Sequence, residues 1–239
     1  MTATALAPTA APAADVPVAP AIPFRRRALA VSTVVGGLLT AAGFAATEWE
    51  SGTDKLSYLD SLVVDPLRSQ VAAVLLHFGY CALVPMLLVL AIMTRRTWRV
   101  AGNVGLALSM LGALSLPGLL VTDFYDMAIR QNLPADQAVA VSDAAQALPL
   151  GVLISGPMIM LTFVGMILLS VAAWRAGFFH WTAALLVVVA NVLPMVAPVG
   201  ALPNIAMGAC LGLFMVLVGV AGLRMTDQEW VSGTRGAGR

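Results

Sequence analysis

Only a few side chains in this chain have the chemistry of a ligand or a catalyst, and they fall within or beside apolar stretches. His77 and Cys81 stand four residues apart, so they share one face if their segment is helical. This pair can bind a soft metal ion, but a zinc site normally takes three or four protein ligands. The surrounding sequence supplies no further ligand, so no cofactor is predicted and metal binding stays an open question.

A layer of polar side chains emerges when each apolar stretch is followed inward from its outer end by six or seven residues, about 10 Å. Each stretch then offers one polar or soft side chain, in chain order Thr40, His77, Ser115, Ser155, Asn191 and Cys210. The layer predicts an outer vestibule with two acids at its mouth. Its candidate ligand-binding residues are His77, Cys81, Ser115, Ser155, Asn191, Asp123 and Asp126. The alternative is ordinary packing between membrane helices, with His77 as a neutral histidine hydrogen-bonded to Asn191 or a serine.

The sequence contains no recognisable catalytic pattern, and no catalytic residue is predicted. It has neither a glycine-rich phosphate loop nor a nucleophile elbow. Its apolar stretches hold no Asp or Glu that could serve as a proton relay. These features favour a protein that is not an enzyme, although the class stays open.

The elements that must position these residues are six apolar stretches. About 20 apolar residues in a helix cross a hydrocarbon core of about 30 Å. The chain is 60% hydrophobic and only 10% charged, which is typical of a membrane protein. The sequence therefore predicts an all-α, six-helix transmembrane bundle with spans at Ala28–Ala46, Pro66–Met93, Val100–Val121, Leu150–Ala173, Thr182–Val196 and Ile205–Leu223.

The distribution of Lys and Arg between the connecting segments predicts the orientation. With the N-terminus inside, only three basic residues lie outside: Lys55, Arg68 and Arg130. The other ten lie inside: Arg25, Arg26, Arg27, Arg95, Arg96, Arg99, Arg175, Arg224, Arg235 and Arg239. We expect a bacterial inner-membrane protein with both termini in the cytoplasm, in which this inner charge sets topology and does not form a nucleic-acid surface.

The segments outside the spans divide into tails and surface helices. Residues 1–24 predict a disordered Ala/Pro-rich tail, residues 25–224 the transmembrane domain, and residues 225–239 a short cytoplasmic tail. An alternative treats the first span as a cleaved signal, but its apolar run exceeds the usual 7–15 residues. Apolar spacing predicts short surface helices at Tyr58–Val64 and in 135–147, and Asp65-Pro66 predicts a capped start of the second long helix.

Small residues at four-residue spacing predict close helix packing. Gly208 and Gly212 lie on one face of the last span, and Gly105, Ser109 and Ala113 do so in the third. Packing within the chain is the first interpretation. A homodimer through Gly208 and Gly212 is the second.

The run from Tyr58 to Gln70, which leads directly into a long span, is followed by an Arg-rich inner loop at Thr94–Arg99. This arrangement resembles a family of small six-span membrane proteins of actinobacteria. The resemblance covers roughly residues 28–223 and implies fold and location. No function is assigned to that family, so no site residue follows from it.

The sequence favours a non-enzymatic protein of the bilayer that binds a small molecule, a lipid or a protein partner from the outer side. A transporter or permease component is the first alternative. An enzyme that modifies lipids within the membrane is the second.

Overall fold

A computed structural model describes residues 21–236, which form twelve helical segments and no strand. The all-helical class is therefore confirmed for this part of the chain. Their bounds are α1 (Ala21–Ala46), α2 (Lys55–Val64), α3 (Pro66–Cys81), α4 (Leu83–Thr94), α5 (Arg99–Ala113), α6 (Leu116–Asn132), α7 (Ala135–Gln146), α8 (Pro149–Ser155), α9 (Pro157–Arg175), α10 (Trp181–Val196), α11 (Ala201–Arg224) and α12 (Asp227–Ser232).

Five of the helical stretches are long and apolar enough to cross a membrane, which supports a membrane-embedded protein. Three of them are pairs of consecutive segments, α3 with α4, α5 with α6, and α8 with α9. The predicted fifth span is α10, which has only 16 residues. Such a helix is about 24 Å long, shorter than a hydrocarbon core of about 30 Å. The sixth crossing therefore stays a prediction.

Local sequence explains where the helices on one face begin and end. Asp54 and Asp65 cap α2 and α3, each accepting a hydrogen bond from the backbone three residues later. Pro66 occupies the first turn of α3, where its missing N–H costs nothing. Arg68 then donates to the carbonyl of Ala46 at 2.9 Å, at the end of α1. The two predicted short helices are present as α2 and α7, while their place on the membrane surface stays a prediction, and the predicted cap is confirmed at Asp65.

Glycines allow the longest helices to touch backbone to backbone. A Cβ on Gly212 of α11 would lie 2.5 Å from the carbonyl oxygen of Gly37 in α1, and one on Gly208 would meet Phe44. In the same way Gly165 of α9 packs on Gly105 and Ser109 of α5. Packing within the chain is thus confirmed for these residues. The homodimer through Gly208 and Gly212 stays a prediction.

The core is centred on α4, a helix that is apolar on every side. Leu83, Met86, Leu87, Leu90 and Met93 are all fully buried. A helix without a polar face belongs in the interior of a bundle. It is surrounded by α1, α5, α9 and α11.

Contacts gather the loops into two groups at opposite ends of the long helices. At one end Arg26 pairs with Asp227 at 3.1 Å, and Arg95 donates to the carbonyl of Trp230 at 2.8 Å. At the other end α2 lies against α6 and α7. We call the end with α2 and α7 the outer face and the other the inner face, following the predicted orientation.

The domain boundaries predicted from composition differ slightly from the helix bounds. Helix α1 begins at Ala21, four residues before the predicted start of the transmembrane domain. The predicted inner tail contains α12, whose Trp230 is buried. The rest of the predicted disordered tail, residues 1–20, lies outside the described residues, as do residues 237–239.

Candidate functional site

Tyr58 joins two carboxylates on the outer face. Its hydroxyl lies 2.8 Å from Asp123 Oδ1 and 3.1 Å from Asp126 Oδ2. The two acids are three residues apart on α6, so they project from the same side of that helix. Tyr58 reaches them from α2, which places α2 across the middle of α6.

A tyrosine hydroxyl has one proton, so it can donate to only one of the two carboxylates at a time. Burial raises the pKa of Tyr58 above its usual value of 10, and the negative charges of Asp123 and Asp126 raise it further. The hydroxyl therefore remains a donor at neutral pH. Two carboxylates compete for this one proton, which leaves the cluster short of positive charge.

Asp126 has more hydrogen-bonding and ion-pair partners than Asp123. Asp126 is buried and accepts a hydrogen bond from Ser142 at 2.8 Å, and Lys55 Nζ lies 4.0 Å from its Oδ2. Within the described residues Tyr58 is the only donor to Asp123. Asp123 is thus the acid with spare capacity to accept a hydrogen bond.

Asp123 lines a cavity of about 290 Å³ between α1, α3, α6 and the loop that follows α1. We call it the outer cavity. Aromatic side chains form one wall: Phe44 stacks on Trp49 with ring centroids 5.5 Å apart and meets the ring of Tyr80 edge-on at 6.5 Å. Apolar side chains, including Leu76, Leu120 and Met207, line the remainder. The size is at the lower end of the ~300–1,000 Å³ found for small-molecule sites.

The charges that line the outer cavity are all negative. Glu48, Glu50 and Asp123 line it, and no Lys, Arg or His does. Arg68 pairs with Glu48, whereas Glu50 has no hydrogen bond or ion pair within the described residues. Negative charge beside aromatic faces is the environment that organic cations prefer.

Ser69 adds a polar group to the outer cavity that is independent of the carboxylates. Its side chain lines the cavity, is 7% exposed, and its Oγ has no hydrogen-bond partner. It is the only buried side-chain oxygen or nitrogen without a partner among the described residues. An unpaired buried polar group costs about 1–3 kcal/mol, so the hydroxyl of Ser69 has unused capacity for a hydrogen bond in the cavity.

Of the seven predicted site residues, the structure brings only Asp123 and Asp126 together through Tyr58, and only Asp123 lines the outer cavity. His77 Nδ1 lies 3.0 Å from the carbonyl oxygen of Pro117, and its ring packs against Phe78. This partner differs from the predicted Asn191 or serine; the side-chain amide of Asn191 donates to the carbonyl of Val187 instead.

The other predicted residues bond within their own helices or lie at the surface. Ser155 and Asn191 donate to the carbonyls four residues earlier, at 2.9 and 2.8 Å, and Ser115 makes a longer bond of the same kind at 3.3 Å. Cys81 is exposed. Within the described range no three His, Cys, Asp or Glu side chains are grouped to hold a metal ion.

Sequence reasoning missed Tyr58, Ser69 and Glu50. Tyr58 stands on the helix that the apolar spacing predicted, but its contacts with Asp123 and Asp126 span 65 and 68 residues and leave no local signal. Nothing in the sequence distinguishes Ser69 from the other serines, because its importance comes from having no partner in the folded chain.

Comparisons with protein-family models, with curated proteins and with solved structures find no match to this chain.

Proposed function

We propose that this chain is a membrane protein that binds a small organic cation with an apolar group in the outer cavity. The observation that carries the proposal is the lining of that cavity, with three carboxylates, an aromatic wall and no basic side chain. The sequence predicts a binding protein that acts on the outer side of a bacterial inner membrane. The proposal names an organic cation as its ligand and the outer cavity as its site.

The polar groups of the outer cavity include hydrogen-bond acceptors that such a ligand can use. A primary ammonium has three N–H donors and no acceptor, so it suits a site rich in unused acceptors. Asp123 has one competing donor, Glu50 has none within the described residues, and Ser69 Oγ is unpaired. The apolar part of the ligand would rest against Phe44, Trp49 and their neighbours.

Thermal unfolding in nanodiscs tests the proposal with two probes of nearly equal shape, phenethylammonium and uncharged 2-phenylethanol. A ligand that binds only the folded state raises the stability by about 2.7 kcal/mol at a hundredfold excess over its Kd. We expect phenethylammonium to raise the unfolding temperature and 2-phenylethanol to have little effect. Equal effects of the two probes would contradict recognition of charge.

Two matched variants locate the binding. Asp123→Asn removes a charge from the outer cavity, whereas Asp136→Asn removes one from an exposed position on the same face, outside the cavity. A charge-assisted hydrogen bond is worth about 1.5–3 kcal/mol, so Asp123→Asn should weaken phenethylammonium binding about ten- to a hundredfold. Asp136→Asn should leave it unchanged. Equal losses would mean that the whole acidic face attracts the probe without a site.

Transport of the same cation is a second candidate function, favoured by interruptions in three of the five long helical stretches. The breaks lie between α3 and α4, between α5 and α6, and before Pro157 at the start of α9. Interrupted helices are common where transporters bind substrates. Flux of phenethylammonium into proteoliposomes distinguishes the two: binding without flux supports a receptor or sensor, and saturable flux supports a transporter.

A further inference from the structure

A second and larger cavity of about 740 Å³ lies on the inner face, separate from the residues of the outer cavity. It is bounded by the loop between α9 and α10, the first turn of α10, the last turns of α11 and the segment after α12. We call it the inner cavity. Its volume is within the range of small-molecule and cofactor sites.

Basic side chains converge on the inner cavity. Arg224 at the end of α11 lines it and has no hydrogen bond or ion pair within the described residues. Arg235 donates through Nη1 alone to the carbonyls of Gly177 and Phe178, at 2.6 and 2.7 Å. Its remaining N–H groups stay available on a guanidinium that these two bonds hold in place.

The other polar groups of the inner cavity do not cancel this charge. His180 Nδ1 faces Thr182, which leaves its other ring nitrogen available. The one acidic residue in the lining is Glu229, whose two carboxylate oxygens accept backbone N–H bonds from Thr226 and Gly236 at 2.9 and 2.8 Å. Two guanidinium groups facing one hydrogen-bonded carboxylate leave a net attraction for an anion, and Arg recognises phosphate in two-bonded geometry.

The walls of the inner cavity and the helix end beside it favour an anion that is attached to a lipid. Phe179, Leu217 and Met225 line it beside the arginines. Helix α10 spans only about 24 Å, and its first residue Trp181 is 48% exposed, a placement typical of the level of lipid headgroups. A phosphate held next to these apolar walls suits a group attached to acyl chains.

We propose that the inner cavity binds the phosphate group of an anionic phospholipid, through Arg224 and Arg235. Basic pockets between membrane helices on the cytoplasmic side are an established way of holding anionic lipid headgroups. The site shares no residue with the outer cavity, so a failure of the proposed cation binding would leave this proposal unaffected.

The test compares purified protein reconstituted in vesicles of phosphatidylcholine with protein in equimolar phosphatidylcholine and phosphatidylglycerol, and counts retained phosphatidylglycerol by native mass spectrometry. We expect Arg224→Gln to lower the affinity for phosphatidylglycerol at least tenfold. Arg224→Lys, which keeps the charge but loses the two-bonded geometry, should lose less. Arg99→Gln is the matched control, because Arg99 is an exposed arginine on the same face, has no partner within the described residues, and does not line the cavity.

Three results would overturn the proposal. Equal losses for Arg224→Gln and Arg99→Gln would show general attraction of an anionic membrane to the basic face. An unchanged affinity for Arg224→Gln would remove the inner cavity as the site. Stabilisation of the detergent-held protein by inorganic phosphate to the same extent as by phosphatidylglycerol would show an anion site that does not select lipid.

Discussion

Replacing Tyr58 by Phe removes one hydroxyl and leaves the ring in place, so it isolates the bond between α2 and α6. The hydroxyl supplies one charge-assisted hydrogen bond, worth about 1.5–3 kcal/mol. Asp126 retains Ser142 at 2.8 Å and Lys55 at 4.0 Å, whereas Asp123 loses its only donor within the described residues. Because Asp123 borders a cavity that water can enter, we place the loss of unfolding free energy at about 2 kcal/mol. For a chain of this size the unfolding midpoint should fall by about 4–8 °C.

Thermal unfolding in detergent, followed by circular dichroism, measures this loss. Tyr125→Phe is the control, because Tyr125 is 67% exposed and has no hydrogen bond within the described residues; it should change stability by less than about 0.5 kcal/mol. In the background of Asp123→Asn the cost of Tyr58→Phe should shrink by about 1 kcal/mol, since a neutral amide depends less on the lost donor. If Tyr58→Phe costs no more than Tyr125→Phe, the hydroxyl does not bridge the two acids and the reasoning is wrong.

Three further predictions follow from the same structure. Ser69→Ala removes a buried hydroxyl without a partner, so it should raise the stability of the protein without ligand by about 1 kcal/mol and weaken phenethylammonium binding. A loss of stability in thermal unfolding would show that this hydroxyl makes a hydrogen bond in solution. Above pH 10 the wild type should lose stability faster than Tyr58→Phe, by up to about 1.4 kcal/mol per pH unit. Folding raises the pKa of Tyr58, so the tyrosine of the unfolded chain ionises first and the stability present below pH 10 is lost as the pH rises. Parallel pH profiles of the two proteins would refute this. Gly212→Ala should destabilise by about 1–3 kcal/mol, because its Cβ would lie 2.5 Å from the Gly37 oxygen. Gly118→Ala has nothing within 4 Å of its Cβ and lies inside α6, so the same unfolding assay should show no loss of stability and a gain of up to about 1 kcal/mol from helix propensity.

Features set by neighbouring residues could be predicted from the sequence. Asp65 followed by Pro66 specifies a helix start through one side-chain bond and one fixed backbone angle, and both are local. The apolar spacing of α2 is likewise contained in ten residues. Long apolar stretches also predict helices that could cross a membrane, and α10 at Trp181–Val196 matches the predicted stretch Thr182–Val196 to within one residue.

The site could not be predicted because it depends on how each helix is rotated. The depth of a residue along its helix fixes its height in the membrane, but it leaves the direction of the side chain undetermined. The side chains of Ser155 and Asn191 both donate to carbonyls of their own helices. Tyr58 meets Asp123 across a sequence separation of 65 residues, which no local pattern encodes.

The most direct test of cation binding in the outer cavity is calorimetric titration of the nanodisc-held wild-type protein with phenethylammonium, and with 2-phenylethanol as the uncharged reference. The account predicts saturable binding of one phenethylammonium per chain, weakened by salt, with no detectable binding of the alcohol at the same concentrations. Absence of saturable phenethylammonium binding, or equal binding of both compounds, would contradict it.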